Sequence, residues 1–206
     1  MRKIAFLASH NGSGMRYLLE ARARHEIEFD PVLVVSNNPG SPALAYAREM
    51  GIPTAVINEK RCGGAAEADR ALCEALRQGG AECVLLSGYM KRIGPTTLTA
   101  YRNRILNIHP SLLPKFGGPG MYGMRVHEAV IASGESVTGA TVHLVDHEYD
   151  HGPVLAQVEV PVLPGDTPER LRERVLEVEG PLYLLVLKKI ERGEIDLDAF
   201  GAAAPL

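Results

Sequence analysis

The chain is 206 residues long, with 46% hydrophobic and 23% charged residues and a formal net charge of −3. This composition is typical of a globular domain and gives no indication of a basic surface for nucleic acids.

The three cysteines, Cys62, Cys73 and Cys83, fit neither a zinc site nor a disulfide framework. We therefore expect a reduced, cytoplasmic protein. The N-terminal apolar run is too short for a signal peptide, and no stretch reaches the roughly 20 apolar residues of a membrane span.

The first half of the chain alternates strand and helix patterns. Strands are predicted at 3–9, 31–35, 54–57, 83–87 and 104–108, and helices at 15–25, 41–50, 65–77 and 96–101. This β-α alternation predicts a parallel sheet with helices on both faces. Ligands of such sheets bind beyond the carboxyl ends of the strands, so the loops after the first and fifth strands are expected on one rim.

The loop after the first strand, His10 to Gly14, contains the sequence Asn11-Gly12-Ser13-Gly14. Its glycines allow backbone N–H groups to converge, and the following helix adds positive potential at its N-terminus, which suits a phosphate. The loop lacks both the dinucleotide fingerprint and the P-loop pattern. A simple tight turn is an equally good interpretation of these residues alone.

Asn107 lies near the end of the fifth predicted strand, His109 directly follows that strand, and Pro110 stiffens the chain after them. Residues two apart in an extended strand face the same side, so an amide donor and an imidazole are expected to act on one small group. This pair suits stabilisation of an oxyanion during acyl transfer. The alternative is a turn-forming asparagine beside a structural histidine.

The second half predicts a helix at 126–132, strands at 140–145 and 154–162, a turn at 149–153 and a long helix at 167–192. Thr167 is expected to cap the long helix, and Pro181 to kink or split it. The glycine-rich segment 117–123 is either a connector or a loop that approaches a substrate closely.

The segment 143–151 is rich in potential metal ligands, including His143, His147 and His151. Their four-residue spacing would suit zinc on a helix, but the strand and turn patterns contradict a helix here. Asp150, directly before the turn, is the better candidate for orienting or charging a histidine.

The run ILNIHPSLLPKFGGPGMYG, followed by TGATVHLVDHEYDHGPVLAQ, resembles the glycinamide ribonucleotide formyltransferases of the folate-dependent formyltransferase superfamily. The resemblance extends to SNNP (36–39) and SGYM (87–90). It implies an α/β, Rossmann-like formyltransferase fold, with a central, mostly parallel twisted sheet flanked by helices on both faces. It also implies one domain over 1–206, with a phosphate-binding half at 1–105 and a catalytic, folate-binding half at 106–206.

The resemblance implies transfer of a formyl group from 10-formyltetrahydrofolate to the amine of 5′-phosphoribosylglycinamide in purine biosynthesis, without a metal. The matching catalytic residues are Asn107, His109 and Asp150. The substrate phosphate and glycinamide contacts match Gly12, Ser13, Gly14 and Glu179. The folate-binding positions match Met90, Lys91, Arg92, Ile93, Asn107, Asp146, His147, Glu148, Tyr149 and Asp150. We expect Asp150 to keep His109 protonated near neutral pH.

The implied partners are these small molecules, with no nucleic acid or membrane, and the protein is expected to be a monomer or a homodimer. Several positions depart from the common family pattern, among them Gly14, where many members carry asparagine, and Ala65, where some carry an arginine that Arg61 would replace. Two alternatives stay open. One is another reaction of the superfamily, either hydrolysis of formylfolate or formylation of a different amine. The other is a nucleotide-binding sensor without catalysis.

Overall fold

A computed structural model of the protein describes residues 2–200. The chain forms two compact units, and the boundary between them falls between Ile108 and His109. No helix among the described residues is both long and apolar enough to cross a membrane.

The first unit contains a parallel sheet in the strand order β3-β2-β1-β4-β5. Its strands are β1 (Arg2–Leu7), β2 (Phe29–Ser36), β3 (Thr54–Val56), β4 (Cys83–Leu86) and β5 (Ile105–His109). The residues of β4 and the last four of β1 are buried, as expected for central strands covered on both faces. Leu7 pairs with Leu86, and Leu86 pairs with Asn107. The carboxyl ends of β1 and β4 therefore share one row of the sheet with Asn107.

The helices of the first unit are α1 (Ser13–Ala23), α2 (Pro42–Glu49), α3 (Glu59–Cys62), α4 (Ala65–Gln78) and α5 (Pro95–Ala100). The short helix α3 was not predicted from the sequence; the side chain of Asn58 caps it by accepting a hydrogen bond from the N–H of Arg61. Helix α1 begins at Ser13, two residues earlier than predicted, so Ser13 and Gly14 belong to its first turn.

The second unit consists of α6 (Met124–Ser133), an antiparallel pair of strands, and the long helix α7 (Pro168–Glu191). The strands are β6 (Val137–Leu144) and β7 (Val154–Pro161). Helix α7 packs against both strands and against α6. As predicted, the side chain of Thr167 caps α7.

Pro181 was predicted to kink or split the last helix; the split is wrong, because α7 continues through Pro181 without interruption. Proline inside a helix removes one hydrogen bond and costs about 3 kcal/mol. The residues that follow Pro181, including Tyr183, Val186 and Leu187, are buried. Their burial favours continuing the helix over ending it.

The α/β fold with a mostly parallel sheet is confirmed, with five parallel strands in the first unit and one antiparallel pair in the second. The division into a phosphate-binding and a folate-binding half stays a prediction.

Candidate active site

His109 lies at the end of β5 and is only 4% exposed. Its Nε2 lies 2.7 Å from the carbonyl oxygen of Phe116. Because a carbonyl can only accept, Nε2 carries a proton and donates it to this bond. The other ring nitrogen, Nδ1, lies 3.4 Å from Oδ2 of Asp150. The imidazole is therefore held between two acceptors, an arrangement that suits a ring able to take up a second proton.

Asp150 reaches His109 from the irregular segment between β6 and β7. Its Oδ2 accepts a hydrogen bond of 2.9 Å from the N–H of Gly118, and its Oδ1 lies 3.6 Å from Nε2 of His143. The backbone of Asp150 has a φ of 54°, a left-handed conformation that is uncommon for residues other than glycine. Such strain persists only where surrounding contacts enforce it, and it often occurs at functional sites.

The glycine-rich segment packs directly against Asp150. A Cβ atom at Gly117 would lie 3.2 Å from Cβ of Asp150 and 2.4 Å from Cδ2 of Leu113. No side chain fits there without moving its neighbours. The segment after β5 thus packs against Asp150 at Gly117 and donates to its carboxylate from Gly118, so it does more than connect two elements.

Burial and the neighbouring charges shift the pKa values of His109 and Asp150 in opposite directions. Burial lowers the pKa of the His109 imidazole below its usual value, and the charge of Asp150 and the Phe116 carbonyl offset this only in part. Burial alone would raise the pKa of the Asp150 carboxyl. However, His143, the charge of His109 and the Gly118 N–H together hold that pKa below its usual value. The expectation that Asp150 keeps His109 protonated at neutral pH is therefore wrong, because desolvation of the buried ring outweighs the carboxylate.

Asn107 precedes His109 by two residues on β5 and is partly exposed.

The loop predicted to bind phosphate follows β1 in the first unit. Its Gly12 has a φ of 62°, and a Cβ atom there would lie 3.1 Å from Cβ of Ala43. The position therefore requires glycine both for its conformation and for space. Ser13 and Gly14 start α1 directly after it, and the N–H of Met15 donates to the hydroxyl of Ser87 at 2.9 Å.

The predicted folate positions at 90–93 form the loop between β4 and α5. The N–H of Met90 donates a hydrogen bond of 2.8 Å to Oγ of Ser9, and its side chain is exposed. Ile93 is buried, Lys91 forms an exposed ion pair with Glu59 at 3.5 Å, and Arg92 is exposed. The loop thus combines a hydrogen-bonded backbone at Met90 with an exposed Met90 side chain that can contact a ligand.

The predicted folate positions at 146–150 lie between β6 and β7. Oδ1 of Asp146 accepts from the N–H of Glu148 at 2.8 Å, and its Oδ2 pairs with Nδ1 of His151 at 2.9 Å. Nε2 of His147 lies 3.5 Å from Oε1 of Glu148 with both side chains exposed, and the ring of Tyr149 is exposed. Among residues 2–200, no three His, Cys, Asp or Glu side chains are grouped so as to hold a metal ion.

Glu179 lies on α7 and is partly exposed. Burial raises the pKa of its carboxyl to about 7, with Arg172 opposing this shift. Above neutral pH the folded protein therefore holds a poorly solvated charge on this helix.

We expect Glu179→Gln to raise the free energy of unfolding at about pH 8 by on the order of 2 kcal/mol. Between pH 4.5 and 7, folded wild-type protein keeps a proton that the unfolded chain releases. Wild-type stability therefore falls across this window as the pH rises, and the variant lacks this contribution. Urea unfolding across the window measures the difference, and parallel curves for the two proteins would contradict the assignment.

Sequence reasoning missed several groups of the site. The Phe116 carbonyl and the Gly118 N–H are backbone groups that no residue pattern reveals. His143 was predicted only as a metal-ligand candidate; alternation along β6 places it on the polar face with Thr141, and the structure buries both faces of that strand. His127, buried on α6, was not considered at all.

The family model described as "Formyl transferase" matches residues 2–187. The chain is 43% identical over 190 residues to the chloroplastic phosphoribosylglycinamide formyltransferase of Arabidopsis thaliana, covering 92% of this chain and 65% of the relative. It is 34% identical over 197 residues to the phosphoribosylglycinamide formyltransferase of Haemophilus influenzae, covering 96% and 91%. The crystal structure of glycinamide ribonucleotide transformylase 1 from Symbiobacterium toebii superposes with a TM-score of 0.89 at 34% identity, covering 97% of this chain and 92% of that chain.

The chain spans slightly less than two thirds of the length of the plant relatives it matches. The family match covers nearly the whole chain and includes every residue of the candidate site. The chain belongs to the formyl transferase family.

Proposed function

We propose that this protein transfers the formyl group of 10-formyltetrahydrofolate to the amine of 5′-phosphoribosylglycinamide, a step of de novo purine biosynthesis. The observation that carries the proposal is the pairing of buried His109 with half-buried Asp150, with Asn107 two residues before His109 on the same strand. Membership of the formyl transferase family supports it, as do relatives named for this reaction.

In the first step, the amine nitrogen bonds to the formyl carbon and the carbonyl electron pair moves onto oxygen. The side-chain amide of Asn107 donates a hydrogen bond to this oxyanion, an interaction typically worth about 2.7–4 kcal/mol. His109 is neutral at the outset, because its pKa is lowered, so it accepts the proton that the amine releases. The resulting imidazolium donates to the oxyanion, and Asp150 stabilises its charge.

Nδ1 is the nitrogen of His109 that is suited to this exchange. Its 3.4 Å separation from Asp150 is longer than a good N–H···O hydrogen bond. The bond from Nε2 to the Phe116 carbonyl is 2.7 Å long and fixes the ring. Nδ1 is therefore free to take up and release a proton while the ring orientation is kept.

In the second step, the oxyanion re-forms the carbonyl and the bond between the formyl carbon and the folate nitrogen breaks. His109 gives its proton to the departing nitrogen, which returns the ring to its neutral form. No covalent bond to the protein is needed, because the amine is a competent nucleophile once it is oriented. Assistance to proton transfer of this kind contributes about 10²–10⁴-fold in rate.

The family's binding residues are carried over as part of the same proposal. The backbone at Gly12, Ser13 and Gly14, at the N-terminus of α1, suits the substrate phosphate, and Glu179 suits the glycinamide. The folate positions are Met90 to Ile93, Asn107, and Asp146 to Asp150. Exposed Met90 beside buried Ile93 fits contact with a flat heterocycle.

We further propose that the protein acts in the cytoplasm, as a monomer or a homodimer, on small molecules alone. Two of its three cysteines are buried and all three are free thiols, which suits a reducing compartment.

The reaction is tested by incubating the protein with 10-formyltetrahydrofolate, with and without 5′-phosphoribosylglycinamide. We expect formylated acceptor and free tetrahydrofolate only when the acceptor is present. Release of formate without the acceptor would instead identify a hydrolase, in which water replaces the amine. Formylation of an amino sugar in place of the glycinamide substrate would correct the acceptor while leaving the reaction class intact.

A further inference from the structure

Ser9 lies two residues after the end of β1, where the chain enters the loop predicted to bind phosphate, and only 1% of its surface is exposed. Its backbone N–H donates a hydrogen bond of 3.1 Å to the carbonyl oxygen of Gly88. Its hydroxyl accepts a hydrogen bond of 2.8 Å from the N–H of Met90 and donates one of 2.5 Å to Oδ1 of Asn37. One buried residue therefore bonds to the loop after β2 and, twice, to the loop after β4.

The bond to Asn37 fixes the direction in which the Ser9 hydroxyl points. A hydroxyl has a single proton to donate, and here that proton is given to Asn37, which leaves a lone pair for the N–H of Met90. Asn37 is held in turn, because its backbone carbonyl accepts a 2.9 Å bond from Nδ2 of Asn58, the residue that caps α3. The SNNP sequence (36–39) thus supports the backbone of Met90 through Ser9.

The far end of the loop after β4 has support of its own. Oδ2 of Asp69 accepts a 2.8 Å bond from the N–H of Thr96, and its Oδ1 accepts a 3.1 Å bond from the N–H of Thr97. Ile93, just before this end, is buried. Loss of the Ser9 hydroxyl would therefore free the part of the loop around Met90 while the rest stays attached.

The phosphate loop follows Ser9 directly, yet it is held by separate contacts. The hydroxyl of Ser41 donates a 2.7 Å bond to the carbonyl oxygen of His10. Nε of Arg16 donates a 2.9 Å bond to the carbonyl oxygen of Asn11. Removing the Ser9 hydroxyl should therefore disturb the loop after β4 much more than the phosphate loop.

We propose that Ser9 is a positioning residue for formylfolate: its hydroxyl, oriented by Asn37, fixes the backbone of Met90 and with it the folate positions Met90 to Ile93. The inference rests on the proposed function and adds a residue outside the carried-over set. A binding loop that is ordered beforehand binds more tightly, because the ligand does not have to order it. Without the Ser9 hydroxyl, formylfolate would have to fix the loop itself, so the loss falls on formylfolate affinity and not on acceptor affinity.

The test compares wild-type protein with Ser9→Ala in two calorimetric titrations, one with 10-formyltetrahydrofolate and one with 5′-phosphoribosylglycinamide. We expect the alanine variant to bind 10-formyltetrahydrofolate about fivefold to tenfold more weakly, as the loss of about one net hydrogen bond predicts. Its affinity for 5′-phosphoribosylglycinamide should stay within about twofold of wild type. Its kcat with both substrates saturating should stay within a few-fold, because the catalytic residues are unchanged.

Asn37→Leu tests the same connection without changing Ser9, since it removes the acceptor of the Ser9 proton. We expect it to weaken binding of 10-formyltetrahydrofolate by about twofold to fivefold. The combined variant should bind about as weakly as Ser9→Ala alone, because both changes break one connected set of bonds. Losses that multiply would overturn the inference that Asn37 acts through Ser9. If Ser9→Ala fails to fold, unchanged affinity in Asn37→Leu overturns the inference by itself.

Ser36→Ala is the matched control. Ser36 is a fully buried serine at the end of β2, and its hydroxyl accepts a 3.1 Å bond from the N–H of Asn38. This variant should lose stability but bind 10-formyltetrahydrofolate within about twofold of wild type.

Three results would count against the assignment of Ser9. A Ser9→Ala protein that binds 10-formyltetrahydrofolate like wild type would overturn the inference while leaving the proposed function standing. Equal losses for both ligands, or an equal loss in Ser36→Ala, would show a general structural serine and would also overturn it. A wild-type protein that does not bind 10-formyltetrahydrofolate would overturn the proposed function, and the inference with it.

Discussion

Replacing Asp150 with asparagine should lower kcat by about 10²–10⁴-fold while the protein stays folded. The carboxylate lies 3.4 Å from Nδ1 of His109, and its charge is what stabilises the imidazolium formed during the reaction. The substituted amide keeps the shape of the side chain, and its oxygen can still accept the hydrogen bond from Gly118. The change therefore removes the charge with little disturbance of the packing. Steady-state kinetics with saturating acceptor and formylfolate measure the loss.

Asp166→Asn is the matched control for that experiment. Asp166 is also a poorly exposed carboxylate in an ion pair, with Oδ2 at 2.6 Å from Nη1 of Arg174. Because it belongs to the segment before α7 and not to the candidate site, its loss should lower stability without lowering kcat. Wild-type turnover by Asp150→Asn, or equal losses for both variants, would contradict the role assigned to Asp150.

Replacing Asn107 with leucine should lower kcat by about 10²–10³-fold, which corresponds to about 2.7–4 kcal/mol of barrier. Leucine has a similar size but cannot donate a hydrogen bond to the oxyanion. Because that bond strengthens as charge develops on the oxygen, the loss should fall on kcat and much less on the KM of the acceptor. Single-turnover measurements of formyl transfer separate the two effects.

Ile108→Val is the control on the same strand, since adjacent residues of a strand point to opposite faces. It should leave kcat within a few-fold of wild type. If Asn107→Leu instead raised KM with kcat unchanged, the amide would be a ground-state binding group, and its role in stabilising the oxyanion would be wrong.

The regular elements were predictable where the local pattern and the tertiary environment agree. The apolar runs at 83–87 and 104–108 predicted β4 and β5 nearly to the residue, because all residues of β4 and the first two of β5 are buried. Helix α3 was missed because four residues are too few for a periodic pattern. The side chain of Asn58 caps it.

Pro181 shows how tertiary packing overrides the helix-breaking preference of a single residue. The intrinsic cost of proline inside a helix predicted a kink or a split at Pro181, although the helical pattern continues to 192. The structure keeps α7 intact because its buried face continues past the proline. That face packs against α6, β6 and β7, elements that precede α7 in the chain. Such compensation cannot be inferred from the helix alone.

For the candidate site, the identity of the residues was predictable from the sequence, but their burial and backbone conformation were not. The motif identified His109 and Asp150, but only the fold shows that the ring is buried and that burial lowers its pKa. The left-handed backbone of Asp150 and the close contact with Gly117 arise from segments far apart in the chain. Burial and backbone strain are properties of the assembled structure, so they lie beyond any short pattern.

The central claim is that His109 and Asp150 act as one proton-transfer unit, and a double-variant cycle tests it most directly. The kcat values of wild type, His109→Gln, Asp150→Asn and the combined variant would be measured under the same saturating conditions. If the pair is a unit, either change removes the same assistance, so the combined variant should be about as slow as the slower single variant. Losses that multiply in the combined variant would show that the two residues act independently and would contradict the mechanism.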